Sequence, residues 1–167
     1  MIIPHKWKLT LALISLSVSG LLLALAAKPE RAANTQTPKG NAPHAYHKDP
    51  PTGPLPTTIS PGEFPKNKAA FVAYCMARKI PDLLYQLPCY CGCDTAEGHA
   101  SLLDCFVTKH GELCHTCQAE VFSSFELQKL GRNAAELRQA FENRAFLDFD
   151  FDHYVHGHIR ECKRHSP

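Results

Sequence analysis

Hydrophobic residues recur at helical spacing through the second half of the chain. In the first such segment, Val72, Cys75 and Met76 fall on one side of a helix. Asn133 and Glu136 form a capping box in front of the last segment. The pattern predicts four helices, over residues 68–79, 98–109, 113–130 and 133–144. No run of paired strands is evident, so the fold class is predicted to be mainly α, with about four helices around a Cys-rich loop.

Two other patterns flank the helical segments. Residues 9–27 form an apolar run preceded by Lys6 and Lys8, and the sequence Ala-Leu-Ala at 24–26 suits a signal-peptide cleavage site. The run is also long enough to serve as an uncleaved membrane anchor. At the other end, residues 146–152 alternate aromatic or aliphatic side chains with acidic ones, which predicts an extended segment without a partner strand.

Between the apolar run and the helices, residues 28–66 are polar and rich in proline. Proline fixes φ and removes amide donors, so this composition is typical of a disordered linker, and His44 and His47 are interpreted as solvated. The chain is therefore predicted to divide into a signal peptide or membrane anchor at 1–27, a Pro-rich disordered linker at 28–66, a Cys-rich helical domain at 67–145 and a His/Asp-rich tail at 146–167.

Composition limits the classes of function. The chain has 167 residues and a formal charge of +2, with 44% hydrophobic residues, which is enough for one modest core. There is no run of lysine and arginine interleaved with aromatic residues, so nucleic acid is not expected as a partner. The export signal places the folded part outside the cytoplasm, in the periplasm or at the cell surface.

The candidate chemistry lies in the cysteines. The sequence Pro-Cys-Tyr-Cys-Gly-Cys at 88–93 puts Cys89, Cys91 and Cys93 at alternate positions, where Gly92 lets the backbone fold inward and three sulfurs face one way. Disulfides between neighbours two residues apart would be strained. This spacing favours a site for a thiophilic metal ion.

A second pair of thiols follows at a predicted helix start. Cys114 and Cys117 share one face of the first turn, where the helix dipole favours the thiolate. Cys105 and His99, between the two stretches, are candidate further ligands. His110 is either a ligand or a surface residue that caps a helix end, because Gly111 follows it.

Eight cysteines in an exported chain also permit four disulfides, and a disulfide-braced interaction module without metal is the competing hypothesis. Cys75 is predicted to be a buried thiol or one end of a disulfide, for which Cys162 is a candidate partner. A thiol–disulfide oxidoreductase using Cys114 and Cys117 is a second alternative, although the strand that normally precedes such a motif is not found. No other catalytic residues are evident, and an enzyme is not the favoured interpretation.

The run Leu-Leu-Tyr-Gln-Leu-Pro-Cys-Tyr-Cys-Gly-Cys at 83–93, with the cysteines and histidines that follow it, resembles the bacterial family named for its PCYCGC motif. The resemblance covers about residues 56–144. It implies an exported, often lipid-anchored protein suspected of metal binding, although no cysteine precedes Cys75 to carry a lipid. The positions that match the family's recurring residues are Cys89, Cys91, Cys93, His99, Cys105, His110, Cys114 and Cys117.

These residues lead to one hypothesis, an exported soft-metal-binding protein that binds, buffers or delivers its ion through clustered thiolates. Thiolates with nearby imidazoles suit Cu(I) and Zn(II). Copper is ranked first, because Cu(I) accepts the two or three sulfurs of a Cys-x-Cys segment, and zinc second. The expected partners are the metal ion and a donor or acceptor protein of the cell envelope, with membrane contact only through the N-terminal segment if it is uncleaved.

Overall fold

The regular elements of this structure are helices joined by short turns. The computed structural model describes residues 44–148 and 150–165, and in these ranges there is no strand. The mainly α prediction is confirmed, with four helices of nine or more residues. The helices are α1 (Lys68–Lys79), α2 (Pro81–Tyr85), α3 (Cys93–Ala96), α4 (Asp104–Val107), α5 (His115–Lys129), α6 (Ala134–Glu142) and α7 (Phe151–His165). Single 3-10 turns lie at Pro61–Glu63, His110–Glu112 and Ala145–Asp148.

Helix α1 lies in the core, where α5 and α7 pack against it. It begins where the Asn67 side chain accepts a hydrogen bond from the Ala70 N–H at 3.1 Å, and it ends before Pro81, as the sequence predicts. Val72 and Tyr74 are both fully buried although they lie on different sides of the helix. Burial on several sides makes α1 the element around which the others are arranged.

The turn between α5 and α6 follows the predicted chemistry. Gly131 adopts a left-handed φ of 80° just after α5, a conformation that glycine takes without steric cost. The Asn133 side chain then accepts from the backbone N–H of Glu136, and the Glu136 side chain accepts from the Asn133 N–H. This reciprocal capping box confirms the predicted start of the fourth helix.

The predicted helix at 98–109 is wrong over most of its length, because only Asp104–Val107 is helical. The Asp104 carboxylate accepts hydrogen bonds from the N–H groups of Ala100 and Ser101 at 2.6 and 3.2 Å and so fixes a turn before the helix. The Leu102 N–H donates to Leu87 O at 2.8 Å. A backbone group used for this long-range bond is not available for a helical ladder.

The C-terminal segment also differs from its predicted extended form. A 3-10 turn covers 145–148 and helix α7 begins at Phe151. The rings of Phe151 and Tyr154 pack on Phe122 of α5, with centroids 5.3 and 4.7 Å apart. An isolated extended segment has no ladder to join, whereas a helix buries these rings.

Residues 44–66 pack against the helices rather than running through solvent as the linker prediction expected. The Ile59 N–H donates to Phe106 O at 2.9 Å, and Phe64 is buried against Tyr74 with ring centroids 4.3 Å apart. The His47 ring stacks on Tyr85 at 3.8 Å. Apolar side chains set between prolines explain the docking, since proline lowers the entropy lost on ordering.

The other predictions about chain organisation concern the N-terminal part of the chain. Residues 28–43 of the predicted linker and the predicted signal or anchor segment at 1–27 lie outside the described residues. In the described ranges, none of the helices has the length and apolar character that a membrane crossing requires. The four-part division of the chain stays a prediction.

Candidate metal centre

The Cys-rich loop turns three sulfurs toward one point. Gly92 has a left-handed φ of 85° and precedes helix α3, so the chain reverses between Cys91 and Cys93. The Sγ atoms of Cys89 and Cys91 lie 3.3 Å apart, and those of Cys89, Cys91 and Cys93 all lie within 4.8 Å of one another. The loop alone therefore gathers three candidate ligands.

The start of α5 brings two further sulfurs to the same place. Cys114 is the residue that precedes α5, and Cys117 lies in its first turn, where backbone N–H groups make the surroundings electropositive. Cys117 Sγ lies 3.4 Å from Cys89 Sγ and 3.8 Å from Cys91 Sγ. Two stretches separated by more than twenty residues thus converge on one cluster.

Helix α4 supplies the sixth sulfur. Cys105 is fully buried, and its Sγ lies 3.5 Å from Cys93 Sγ. The Tyr74 hydroxyl of α1 donates to Thr108 O at 2.7 Å and contacts Cys105 O at 3.3 Å. The core helix therefore holds the short helix that carries this thiol.

Two imidazoles complete the cluster. His110 Nε2 lies 3.4 Å from Cys91 Sγ, and His99 Nδ1 lies 3.4 Å from Cys105 Sγ. For zinc, bonds of about 2.3 Å to sulfur in a tetrahedron place two sulfurs roughly 3.8 Å apart. The four Sγ–Sγ separations given above lie between 3.3 and 3.8 Å, which is close to this value.

All eight residues proposed as ligands from the sequence lie in this cluster, and other candidates do not. Cys75 and Cys162 are joined in a disulfide, as the sequence allowed. His44 contacts Asp94 at 3.2 Å and belongs to none of the groups of potential metal ligands. In the described residues, no group of histidines and acidic side chains on the C-terminal helix comes together as a second metal site. Whether the eight bind an ion stays a prediction. The gathered residues are Cys89, Cys91, Cys93, His99, Cys105, His110, Cys114 and Cys117.

Hydrogen bonds among the thiols change their pKa values in opposite directions. The interaction with Cys105 lowers the pKa of Cys91 and raises that of Cys93. Burial lowers the pKa of His110, but its contact with Cys91 and the nearby negative charge raise the pKa by more. The net shift of the His110 pKa is therefore upward. The cluster thus favours thiolate at some positions and thiol at others, and binding of a metal ion to thiols releases their protons.

The motif has a counterpart among known protein families. The family described as proteins of unknown function with a PCYCGC motif matches residues 55–148, which is more than half of the 167-residue chain. The chain belongs to this family. The predicted membership is confirmed, and all six clustered cysteines of this PCYCGC protein lie in the matched range. No curated protein and no solved structure matches the chain.

Sequence reasoning missed two carboxylates of this PCYCGC protein. Glu97 contacts His110 Nδ1 through one oxygen and lies 3.5 Å from His99 Nε2 through the other. Its position two residues before His99 was the only available signal.

The second missed carboxylate is Glu120 of α5, which is fully buried beside the thiols. One of its oxygens accepts from the Tyr90 N–H at 2.7 Å, and the other has no hydrogen-bond partner among the described residues. Burial raises the pKa of Glu120 well above its ordinary value. Its place between Ala119 and Val121 in the predicted helix is the sequence signal for a buried acid.

Proposed function

We propose that this chain is an extracytoplasmic soft-metal-binding protein that binds, buffers or delivers its ion through clustered cysteine thiolates. The observation that carries the proposal is the convergence of six free cysteines and two histidines from three separate stretches. Soft thiolates select thiophilic ions, and imidazole suits the same metals. The carboxylate-rich arrangement that calcium or magnesium requires is not part of the cluster.

Cu(I) is the first candidate ion. Cys89, Cys93 and Cys105 are all buried, and each pair of their sulfurs lies within 4.8 Å. Three thiolates in a site shielded from water suit Cu(I), which is stable with two or three sulfur ligands. Shielding also limits oxidation of the bound ion.

Zn(II) is the second candidate, and a different set of residues favours it. Cys91, His110, Cys114 and Cys117 have ligand atoms within 4.8 Å of one another. Three cysteines and one histidine are a common tetrahedral zinc set. Cys91, His110 and Cys114 are partly exposed, so an ion held there is accessible to a donor or acceptor protein of the cell envelope.

The extracytoplasmic location is part of the proposal. The Cys75–Cys162 disulfide supports it, since disulfides persist in oxidising compartments. The apolar N-terminal run supports export, and any membrane contact is assigned to that run.

Elemental analysis of protein purified from its own envelope tests the proposal. Bound copper or zinc, together with six thiols that become alkylatable after metal removal, is the expected result. The competing disulfide-braced module predicts no metal and all eight cysteines in disulfides, which mass spectrometry of native and alkylated protein detects. In that alternative, close sulfur pairs such as Cys93 and Cys105 would form the additional disulfides.

A titration with Cu(I) against a coloured chelator then compares variants. Cys89→Ser combined with Cys105→Ser removes two of the three buried sulfurs proposed for Cu(I), and we expect it to bind Cu(I) more weakly than the parent does. His156→Gln changes an exposed side chain of α7. This control variant should bind Cu(I) as the parent does. Equal affinity of the two variants would contradict the proposal.

An oxidoreductase has less support. In the described residues no strand precedes the Cys114–Cys117 motif, whereas thiol–disulfide oxidoreductases normally carry the motif after a strand. A dithiol reductase assay of the parent and Cys114→Ser decides this point, because activity that depends on Cys114 would favour the enzyme.

A further inference from the structure

The cluster contains more ligands than one ion uses. A zinc ion takes four protein ligands in a closed site, and Cu(I) takes fewer. Eight side chains lie in the cluster, each within reach of at least one neighbour. Twice the number of ligands that one tetrahedral ion needs is the starting point for dividing them.

The outer set consists of residues at least partly open to solvent around one buried thiol. Cys91, His110 and Cys114 are partly exposed, and Cys117 lies behind them. Every pair of their ligand atoms lies within 4.8 Å. This set has the number and type of ligands that a closed tetrahedral zinc site uses.

The inner set is buried. Cys89, Cys93 and Cys105 lie within 4.8 Å of one another, and His99 Nδ1 lies 3.4 Å from Cys105 Sγ. All four residues are buried. The inner set has the same composition as the outer one, three thiols and one imidazole.

The two sets touch. Cys89 Sγ of the inner set lies 3.3 Å from Cys91 Sγ and 3.4 Å from Cys117 Sγ of the outer set. His110 also comes within 4.8 Å of Cys93 and Cys105. Ions in the two sets would therefore be close neighbours.

Glu97 connects the imidazoles of the two sets. One carboxylate oxygen contacts His110 Nδ1, which leaves Nε2 toward Cys91. The other oxygen lies 3.5 Å from His99 Nε2, which leaves Nδ1 toward Cys105. Carboxylates commonly hold metal-binding histidines in this way, fixing the ring and the nitrogen that faces the ion.

We infer that the cluster is a two-ion centre, with one ion in each set of three thiols and one imidazole, and that Glu97 is the positioning residue for both imidazoles. The inference rests on the proposed metal-binding function and adds the number of ions and their distribution. The outer ion is exposed to exchange with solvent or a partner, and the inner ion is shielded.

Native mass spectrometry of the full chain with Zn(II) as the probe tests the division. The parent should bind two zinc ions. Cys93→Ser with Cys105→Ser should keep only the outer ion, and Cys91→Ser with Cys114→Ser only the inner one. One zinc ion in the parent, or three, overturns the two-ion inference while the proposed function stands. Failure of the parent to bind either Zn(II) or Cu(I) removes the proposed function itself.

Glu97→Gln provides a variant that does not remove a ligand. The Glu97 side chain is 46% exposed, so the metal-free protein should unfold at the parent's temperature. Zinc affinity at both sites should fall by about 10–100-fold, the usual effect of losing such a carboxylate. Glu63→Gln, at an exposed 3-10 turn, is the control and should leave both affinities unchanged. Loss of affinity at one site only, or at neither, contradicts a shared positioning role.

Discussion

The molecule uses cysteine in two regions with opposite outcomes. Cys75 on α1 and Cys162 on α7 face each other across two packed helices and form a disulfide. The other six cysteines lie on turns and helix ends, and they remain thiols although several sulfurs are less than 4 Å apart. Facing helices bring together a single pair, whereas a tight loop brings each sulfur close to several others. The surrounding backbone, rather than the residue type, separates a covalent link from a candidate ion site.

The largest effect should come from breaking the disulfide. Replacing both Cys75 and Cys162 with alanine removes a crosslink between residues that are 87 positions apart in the sequence. Loop entropy predicts a loss of about 4–5 kcal/mol of unfolding free energy. Denaturant unfolding measures this loss of free energy. The number of zinc ions bound per molecule in the fraction that is still folded should match that of the parent. Loss of metal in that folded fraction would show that the two regions are not independent.

The second-largest effect on stability should come from removing the metal ion from the cluster. An ion that binds only the folded state at a free concentration one hundred times its Kd stabilises the protein by about 2.7 kcal/mol. Thermal unfolding of zinc-loaded protein with and without chelator should show this difference. A variant that removes one sulfur from each set, Cys105→Ser with Cys117→Ser, should show little of it. An equal chelator effect in that variant would place the ion outside the cluster.

The next effect concerns the bond that holds the Cys-rich loop to α5. Glu120→Ala leaves the partly buried Tyr90 N–H without its acceptor and should cost about 1–3 kcal/mol. Glu120→Gln keeps an acceptor oxygen and should preserve most of the stability. Denaturant unfolding compares them, and equal losses would mean that the hydrogen bond has no part in fixing the loop.

The smallest effects should come from two glycines of opposite character. A Cβ on Gly92 meets no atom within 4 Å, but its φ of 85° makes an alanine there cost about 1–2 kcal/mol. Gly157 lies inside α7 with no neighbour within 4 Å and an ordinary φ, so Gly157→Ala should stabilise by about 0.5–1 kcal/mol. Unfolding free energies of both variants check the signs. Stabilisation by Gly92→Ala would refute the left-handed turn at the cluster.

The sequence predicted best where local chemistry decides the structure. The N-cap at Asn67 and the proline at 81 set the bounds of α1, and the capping box at Asn133 sets the start of α6. The alternate cysteines at 89, 91 and 93 were recognised as a group from their spacing. In each case the deciding interaction joins residues close in sequence.

Prediction failed where contacts between residues far apart in the sequence determine the structure. The turn before α4 depends on a bond from Leu102 to Leu87, and the helical form of the tail depends on aromatic packing against Phe122. Glu97 is important only because two histidines from different turns meet there. Such relations have no periodicity in the sequence, so pattern analysis does not detect them.

The Cys75–Cys162 bond has a topological consequence for the cluster. All six thiols, from Cys89 to Cys117, lie on the chain between these two residues. They therefore belong to one covalent ring. A single proteolytic cut within the ring would leave both fragments attached, so a nicked molecule would keep its whole set of sulfurs on one particle.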